Sequence, residues 1–410
     1  MKNLTPIKNC FTITFAILIF SNTFFTQEKE DFSFKLSGYV KTDLIYDSRQ
    51  TVSAREGHLL LFPANKVLDQ NQNDINAQSN FNILSIQSRL NGRITGPEAL
   101  GAKTSSVIEA EFFGHSNSDI NGFRLRLAFI KLQWSNTSLI VGQFWHPLFI
   151  TDVFANVVSF NTGIPFQPFS RNPQVRLQHS FDNLTLTATA YTQRDFSSPG
   201  PDGTTSDYMR NSGLPGFNLN AMVKYQNFLF GVGGDFKTLR PRLITAENYS
   251  TDENIKSYAG IAFAKYHNDK FTFKAEGTYG GNLNDLLMLG GYAVYEKDQV
   301  TGVQKYTPLN ILSFWTDISY GKQTEVGIFA GYAENKGSDK SFSEHFSRGI
   351  NIDYLYRISP RVIFNLDSFR IAGELEYTIA SYGQFNSKGT VDNSEEVGNL
   401  RVLTAVYLFF

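Results

Sequence analysis

From position 32 to position 410 the chain alternates apolar and polar residues with a period of two, segment after segment, and this constrains its fold more than any other feature. A period of two belongs to a β-strand, whose successive side chains point to opposite faces. In the first segment Phe32, Phe34, Leu36, Val40, Leu44 and Tyr46 share one face, while Lys35, Ser37, Lys41, Asp43 and Asp47 share the other. In the second, Leu84, Ile86, Leu90 and Ile94 face one way and Ser85, Gln87, Arg89, Asn91 and Arg93 the other. Sixteen such segments can be placed, at 32–46, 83–94, 105–114, 123–134, 139–146, 173–181, 184–193, 217–225, 228–237, 258–266, 271–280, 311–321, 325–333, 348–366, 369–382 and 398–410. Tight polar turns at Asp182-Asn183, Gln226-Asn227, 267–270, 321–324 and Asp367-Ser368 alternate with long polar loops at about 47–82, 147–172, 194–216, 238–257, 281–308 and 383–397.

A soluble β-sandwich would bury its apolar face within strands of about 5 to 6 residues. These segments run nearer ten, the length of a tilted strand crossing a bilayer. Short turns on one side and long loops on the other are the topology of a membrane barrel. The sequence therefore predicts an all-β chain, a transmembrane antiparallel β-barrel most simply of 16 strands, with long extracellular loops, short periplasmic turns and both ends on the periplasmic side. Pro360 interrupts 348–366 and calls for an edge or a bulge, so counts of 14 or 18 stay open.

The first residues carry Lys2 and Lys8, then the apolar run Phe11 to Phe20, then small and polar residues before Glu28, Glu30 and Asp31. That order predicts a secretory signal peptide over 1–26, cleaved near Thr26 and Gln27, leaving a single barrel domain at 27–410. Cys10, the only cysteine, stands at the start of the apolar run, so the mature chain has no disulfide and no thiol chemistry. No later stretch approaches 18 consecutive apolar residues, which excludes a helical membrane protein. The 37 Phe and 19 Tyr accompany a hydrophobic content of only 41% and a mean hydropathy of -0.23, the signature of strands with one wet face. A net charge of -1 carries no basic excess for nucleic acid.

The six histidines (58, 115, 146, 179, 267 and 345) show no metal-ligand spacing, and the run Asp69 to Asp74 lacks the spacing of a calcium loop. No metal or cofactor is expected. His179 with Ser180, and His115 with Ser116, are adjacent and so point to opposite faces of a strand, which forbids a nucleophile and base pair. The chain does not read as an enzyme.

What remains is the inward charge. Lys41, Asp43, Arg89, Arg93, Arg124, Arg126 and Arg176 fall on the polar faces of strands one, two, four and six, with Glu109 and Glu111 between them on strand three. Read functionally, these are pore-lining residues forming a basic stripe; read blandly, they pair with one another along a hydrated wall. The loop from Pro147 to Asn172 carries Phe149, Phe154, Phe160, Phe166 and Phe169, with Asp152 its one acid and Arg171 its one base. So apolar a loop does not extend into water. It packs over the mouth, against a neighbouring subunit, or within the lumen as a constriction carrying Asp152, Phe154, Phe160 and Phe166. The last segment puts Val402, Thr404, Val406, Leu408 and Phe410 on one face, and its aromatic end resembles the sorting signal read by the barrel-assembly machinery.

Four blocks, Gly38-Tyr39-Val40-Lys41-Thr42-Asp43 with Tyr46-Asp47, Arg124 to Phe129, Gly142-Gln143-Phe144-Trp145, and Arg171-Asn172-Pro173-Gln174-Val175-Arg176, resemble the DcaP-like porins over the first 180 residues. The resemblance implies a trimeric 16-stranded channel in the outer membrane of a Gram-negative bacterium, in contact with outer-membrane lipid and passing small, often anionic, organic solutes. In many porins the third extracellular loop folds inward, and the Phe-rich loop is the third here. The chain departs from the best-known members in having no heptad-bearing helix before the first strand, so a homotrimer would be held by walls and loops. The expected function is passive diffusion of small polar, anionic solutes. The alternative is a non-conducting receptor or adhesin barrel, which would need a plug domain; the polar inward positions Thr185, Thr187, Thr189, Asn218, Asn220, Ser313 and Ser319 suit a wetted passage instead.

Overall fold

The computed structural model describes residues 32–410, so the leader expected at 1–26, its cleavage site and Cys10 lie outside the described residues. Sixteen strands form one closed antiparallel sheet. They are β1 (Ser33–Asp47), β2 (Asn80–Leu84 continued by Arg89–Ala99), β3 (Ala102–Glu111), β4 (Arg124–Gln133), β5 (Thr137–Trp145), β6 (Arg171–Phe181), β7 (Leu184–Tyr191) and β8 (Gly216–Tyr225). The second half comprises β9 (Phe228–Leu239), β10 (Ile255–His267), β11 (Phe271–Gly281), β12 (Gln304–Gly321), β13 (Thr324–Gly337), β14 (Ile352–Leu366), β15 (Phe369–Phe385) and β16 (Val391–Phe409). Each strand pairs with its neighbours in sequence, and β16 returns to pair with β1, which removes every open edge.

The alternation explains which way the wall faces. Phe34, Leu36 and Val40 on β1, and Val402 and Leu408 on β16, are exposed outward, whereas Lys41, Asp43 and Arg401 between them are buried inward. The outward aromatics fall at two heights. Phe181, Tyr225, Phe228, Tyr320 and Phe364 sit near the short turns, and Tyr46, Phe81, Phe217, Tyr258 and Tyr279 near the long loops. Two such girdles bound the apolar belt of a membrane barrel. The short turns use residues that tolerate a positive φ, with Asp182 at 46° and Asp367 at 53°.

Two irregularities reverse the facing expected from sequence. Asp43 lies opposite Leu84, yet Tyr39 lies opposite Arg89, so β2 carries one residue more than β1 between these pairs. The extra residue, at the break Ser85 to Ser88, shifts the phase, and Leu84 and Ile86 turn inward and are buried while Leu90 faces out. On β4, Glu109 is opposite Leu127 and Ala110 opposite Leu125, with Arg126 the additional residue. Leu127 therefore faces the lumen beside Arg126, although simple alternation puts it outside. Gln143 on β5 donates to the carbonyls of Leu125 (3.3 Å) and Arg126 (2.9 Å) at this bulge.

Pro360, by contrast, produces no bulge. The register with β15 runs from Ile358 opposite Tyr377 to Arg361 opposite Glu374 without a shift, and the irregularity lies at Ile352 to Leu355. The long loop expected at 383–397 is only 386–390, because β15 and β16 continue above the membrane. There both faces meet water, and Asp392 to Glu396 lose the alternation that marks the lower strand.

Candidate functional site

The inward charges of β1 to β6 meet as a ladder. Glu111 on β3 accepts at Oε1 from Arg124 Nη2 (2.7 Å) and Arg126 Nη1 (2.7 Å), and at Oε2 from Arg89 Nη2 (2.9 Å). Glu109 accepts from Arg126 Nε at 2.8 Å and from Asn91 at 3.0 Å. Asp195, from the loop after β7, completes the group through Arg171 Nη2 (2.6 Å) and Arg124 Nη1 (3.3 Å). Burial alone would raise the Asp195 pKa; Arg171 and Arg124 outweigh it and hold the carboxyl below its ordinary value. Lys41 and Asp43 on β1 pair at 3.0 Å, and Asp43 also faces His58 Nε2 at 3.1 Å. Burial lowers the His58 pKa against the pull of Asp43.

The basic stripe is therefore mostly a paired one: Arg89, Arg124, Arg126 and Arg171 share Glu109, Glu111 and Asp195. Arg176 stands apart, bonded to Gln174 (3.0 Å) and the Trp145 carbonyl (2.8 Å) with its guanidinium over Phe144. Arg93 is exposed toward the periplasmic opening and lies directly opposite Lys35. Across the lumen Lys265 and Lys274 oppose each other in the same way. Like charges at cross-strand positions repel, while on its other side Lys274 lies opposite Asp317 of β12. Sequence alone does not group Lys35, Lys265 and Lys274, because the β1–β2 and β10–β11 pairs come to stand around one lumen only when the barrel closes. It misses Asp195 because a loop delivers it.

The Phe-rich loop, residues 146–170, crosses the lumen as a strap. Lys41 Nζ donates to the Val158 carbonyl (3.0 Å), Ser313 Oγ to Phe166 O (2.7 Å), Arg357 Nη1 to Ile164 O (2.9 Å) and Lys274 Nζ to Phe154 O (2.9 Å). Asn161 Nδ2 donates to Glu376 Oε1 at 2.6 Å, and the Val158 amide to Glu374. These partners lie on β1, β11, β12, β14 and β15, so the strap is tied to opposite walls. Phe160 and Phe166 are buried in it, Phe154 is partly open below, and Asp152 is exposed. At its root His146 stacks edge-on to Tyr191; burial, with Lys237 and Arg176 nearby, pushes its pKa well down.

Beneath the strap lies a cavity of about 320 Å³ bordered by Arg89, Glu109, Arg126, Trp145, Phe149 and Phe160. The other half of the lumen is filled. Leu229, Ile261, Phe263, Trp315 and Phe329 are buried in one apolar cluster with the strap, and Thr189, Asn218 and Ser313, expected to line a wetted passage, are buried with them. The extracellular mouth is covered as well. Leu59 to Pro63 of the first loop and Leu283 to Leu289 of the sixth are buried inward, held by Arg357 to Leu61 O (2.9 Å) and Arg348 to Met288 O (3.1 Å).

A 16-stranded barrel with a strap across its lumen and arginines beneath it decides the comparison. In fold, the chain is similar to the outer-membrane channel DcaP. That channel, from Acinetobacter baumannii, shares 14% identity over 94% of this chain and 99% of its own, with a TM-score of 0.69. The anion-selective porin from Comamonas acidovorans shares 12% over 93% and 100%, at a TM-score of 0.56. OmpT, an outer membrane protein of Vibrio cholerae, shares 9% over 94% and 99%, at 0.54. No protein-family model and no curated protein matches the sequence.

His179 and Ser180 stay on opposite faces, His179 bonding Thr137 Oγ1 at 2.7 Å and Ser180 bonding Thr185 at 3.0 Å. In the first loop the Asp69 carboxylate is taken up by the amides of Asn71 and Asn73, both at 2.8 Å.

Proposed function

We propose that the chain is an outer-membrane channel for passive diffusion of small polar, anionic solutes, assembled as a homotrimer in a Gram-negative bacterium. One observation carries the reading. The cavity under the strap is bordered by Arg89 and Arg126, and on the periplasmic side of the lumen Lys35 faces Arg93 and Lys265 faces Lys274. Basic groups along a restricted passage attract carboxylates, and a planar guanidinium holds one through two parallel hydrogen bonds. Glu109 and Glu111 temper this, which predicts a mild anion preference. The anion selectivity in the name of the Comamonas protein is in keeping with it.

The second reading is a non-conducting receptor barrel, favoured by the buried extracellular mouth. Single-channel recording of the purified barrel separates them. Discrete conductance steps with a reversal potential on the anion side support the channel, and a silent, correctly folded barrel supports the receptor.

A further inference from the structure

The passage beside the charge ladder ends, on its extracellular side, where three loops meet. His58 comes from the loop after β1, Phe113 from the loop after β3 and Phe160 from the strap. Phe113 and Phe160 stack with centroids 4.0 Å apart, and His58 lies 5.5 Å from each. All three are buried. Phe160 forms part of the ceiling of the cavity that Arg89 and Arg126 border. Phe113 carries Arg124 against its ring at 4.6 Å, while Arg55 of the first loop lies 5.2 Å from the same ring and donates to the Phe113 carbonyl at 3.0 Å.

The ladder has a wet and a dry part. Arg89, on the cavity side, keeps 20% of its side-chain exposure, whereas Glu111 and Arg124, its successive cross-strand partners in the same network, keep 0% and 1%. Taking such charges out of water is costly, and a wall built only for packing would carry apolar residues there. The three rings, from three separate loops, meet one another only by packing, and an apolar constriction of this kind blocks ions by excluding water.

We infer that His58, Phe113 and Phe160 form an aromatic gate at the extracellular end of the passage, and that transit requires Phe113 and Phe160 to separate and expose Arg124 and Glu111. This inference rests on the channel reading. The anchors that hold the closed form are His58 to Asp43, Arg55 to the Phe113 carbonyl, and Lys41 to the Val158 carbonyl.

The test is planar-bilayer recording of the full barrel as wild type, Phe113→Ala, Phe160→Ala and, as control, Phe112→Ala, whose ring lies outside against Phe123. Heat-modifiable gel mobility confirms folding of each. The two gate variants should raise mean conductance severalfold, and the control should match the wild type. Should Phe160→Ala fail to fold, Phe113→Ala, on a different loop, decides the question. A conducting wild type matched by folded gate variants overturns the gate and leaves the channel standing. Silence of every folded variant overturns both.

Discussion

Gly38 and Phe410 exchange both of their backbone hydrogen bonds, Gly38 N to Phe410 O at 3.0 Å and Phe410 N to Gly38 O at 3.1 Å, and so close the barrel seam between β1 and β16. The Phe410 ring lies over the glycine. A Cβ built on Gly38 would stand 2.2 Å from the Arg89 carbonyl oxygen and 2.9 Å from Phe410 Cζ.

Gly38→Val should therefore force β1 away from β2, since the Arg89 carbonyl is backbone and cannot move aside, and press on the Phe410 ring at the seam. Deleting Phe410 removes two bonds from the same seam. Both changes should lower the yield of heat-modifiable barrel in the membrane fraction, while export to the periplasm continues. Normal yield from both would mean that closure does not depend on this pair.

The bulge on β4 makes a sharper test of the wall. Leu125 faces outward and Leu127 inward. Arg at Leu125 should cost about 2 to 4 kcal/mol near the bilayer midplane. Arg at Leu127 enters the lumen and should cost less. Arg124→Leu, harmless if that side chain merely faced water, leaves Glu111 and Asp195 short of a partner in a buried network and should cost about 3 to 5 kcal/mol. Urea titration of the refolded variants gives the order; equal losses at Leu125 and Leu127 would place the bulge elsewhere.

These residues also mark the limits of the sequence. Strand positions and facing were legible wherever alternation ran unbroken, as from Phe34 to Val40 and from Val402 to Leu408, because the pattern is local. Leu84, Ile86 and Leu127 were misread because a one-residue bulge shows only in the register with a partner strand. The arginines and Glu111 were visible as inward charges. Their network was not, because Asp195 reaches it from a loop whose path depends on tertiary packing.

Asp195 supplies a pH dependence. Its carboxyl faces Arg171 and Arg124, with Arg126 beyond, and its pKa is held below the ordinary 3.8. A carboxylate with a depressed folded pKa contributes stability that is complete above its unfolded value and is lost as pH falls through the folded one. The loop around it should thus resist protease at neutral pH and loosen only in acid below about 3.8. Asp195→Asn should loosen it at all pH values, opening the bond after Arg194 to trypsin at neutral pH. A variant as resistant as the wild type would show that the arginines do not anchor the loop.

Selectivity tests the lumen as a whole. The Debye length at physiological salt is about 8 Å, comparable with the half-width of a restricted passage, so every ion entering from below should feel Lys35, Arg93, Lys265 and Lys274. Arg89, partly open and shared with Glu111, acts at the cavity itself. The wild type should show a zero-current potential of anion-preferring sign under a KCl gradient. Replacing Lys35 and Lys265 by Ser should reduce it without loss of folding, because each lies opposite a like-charged residue, Arg93 and Lys274, and its removal relieves repulsion. Arg89→Ser should reduce it further, at some cost in stability because the buried Glu111 loses a partner. If the wild type prefers K⁺, or if the lysine variants leave the potential unmoved, the basic groups serve the wall and not the solute.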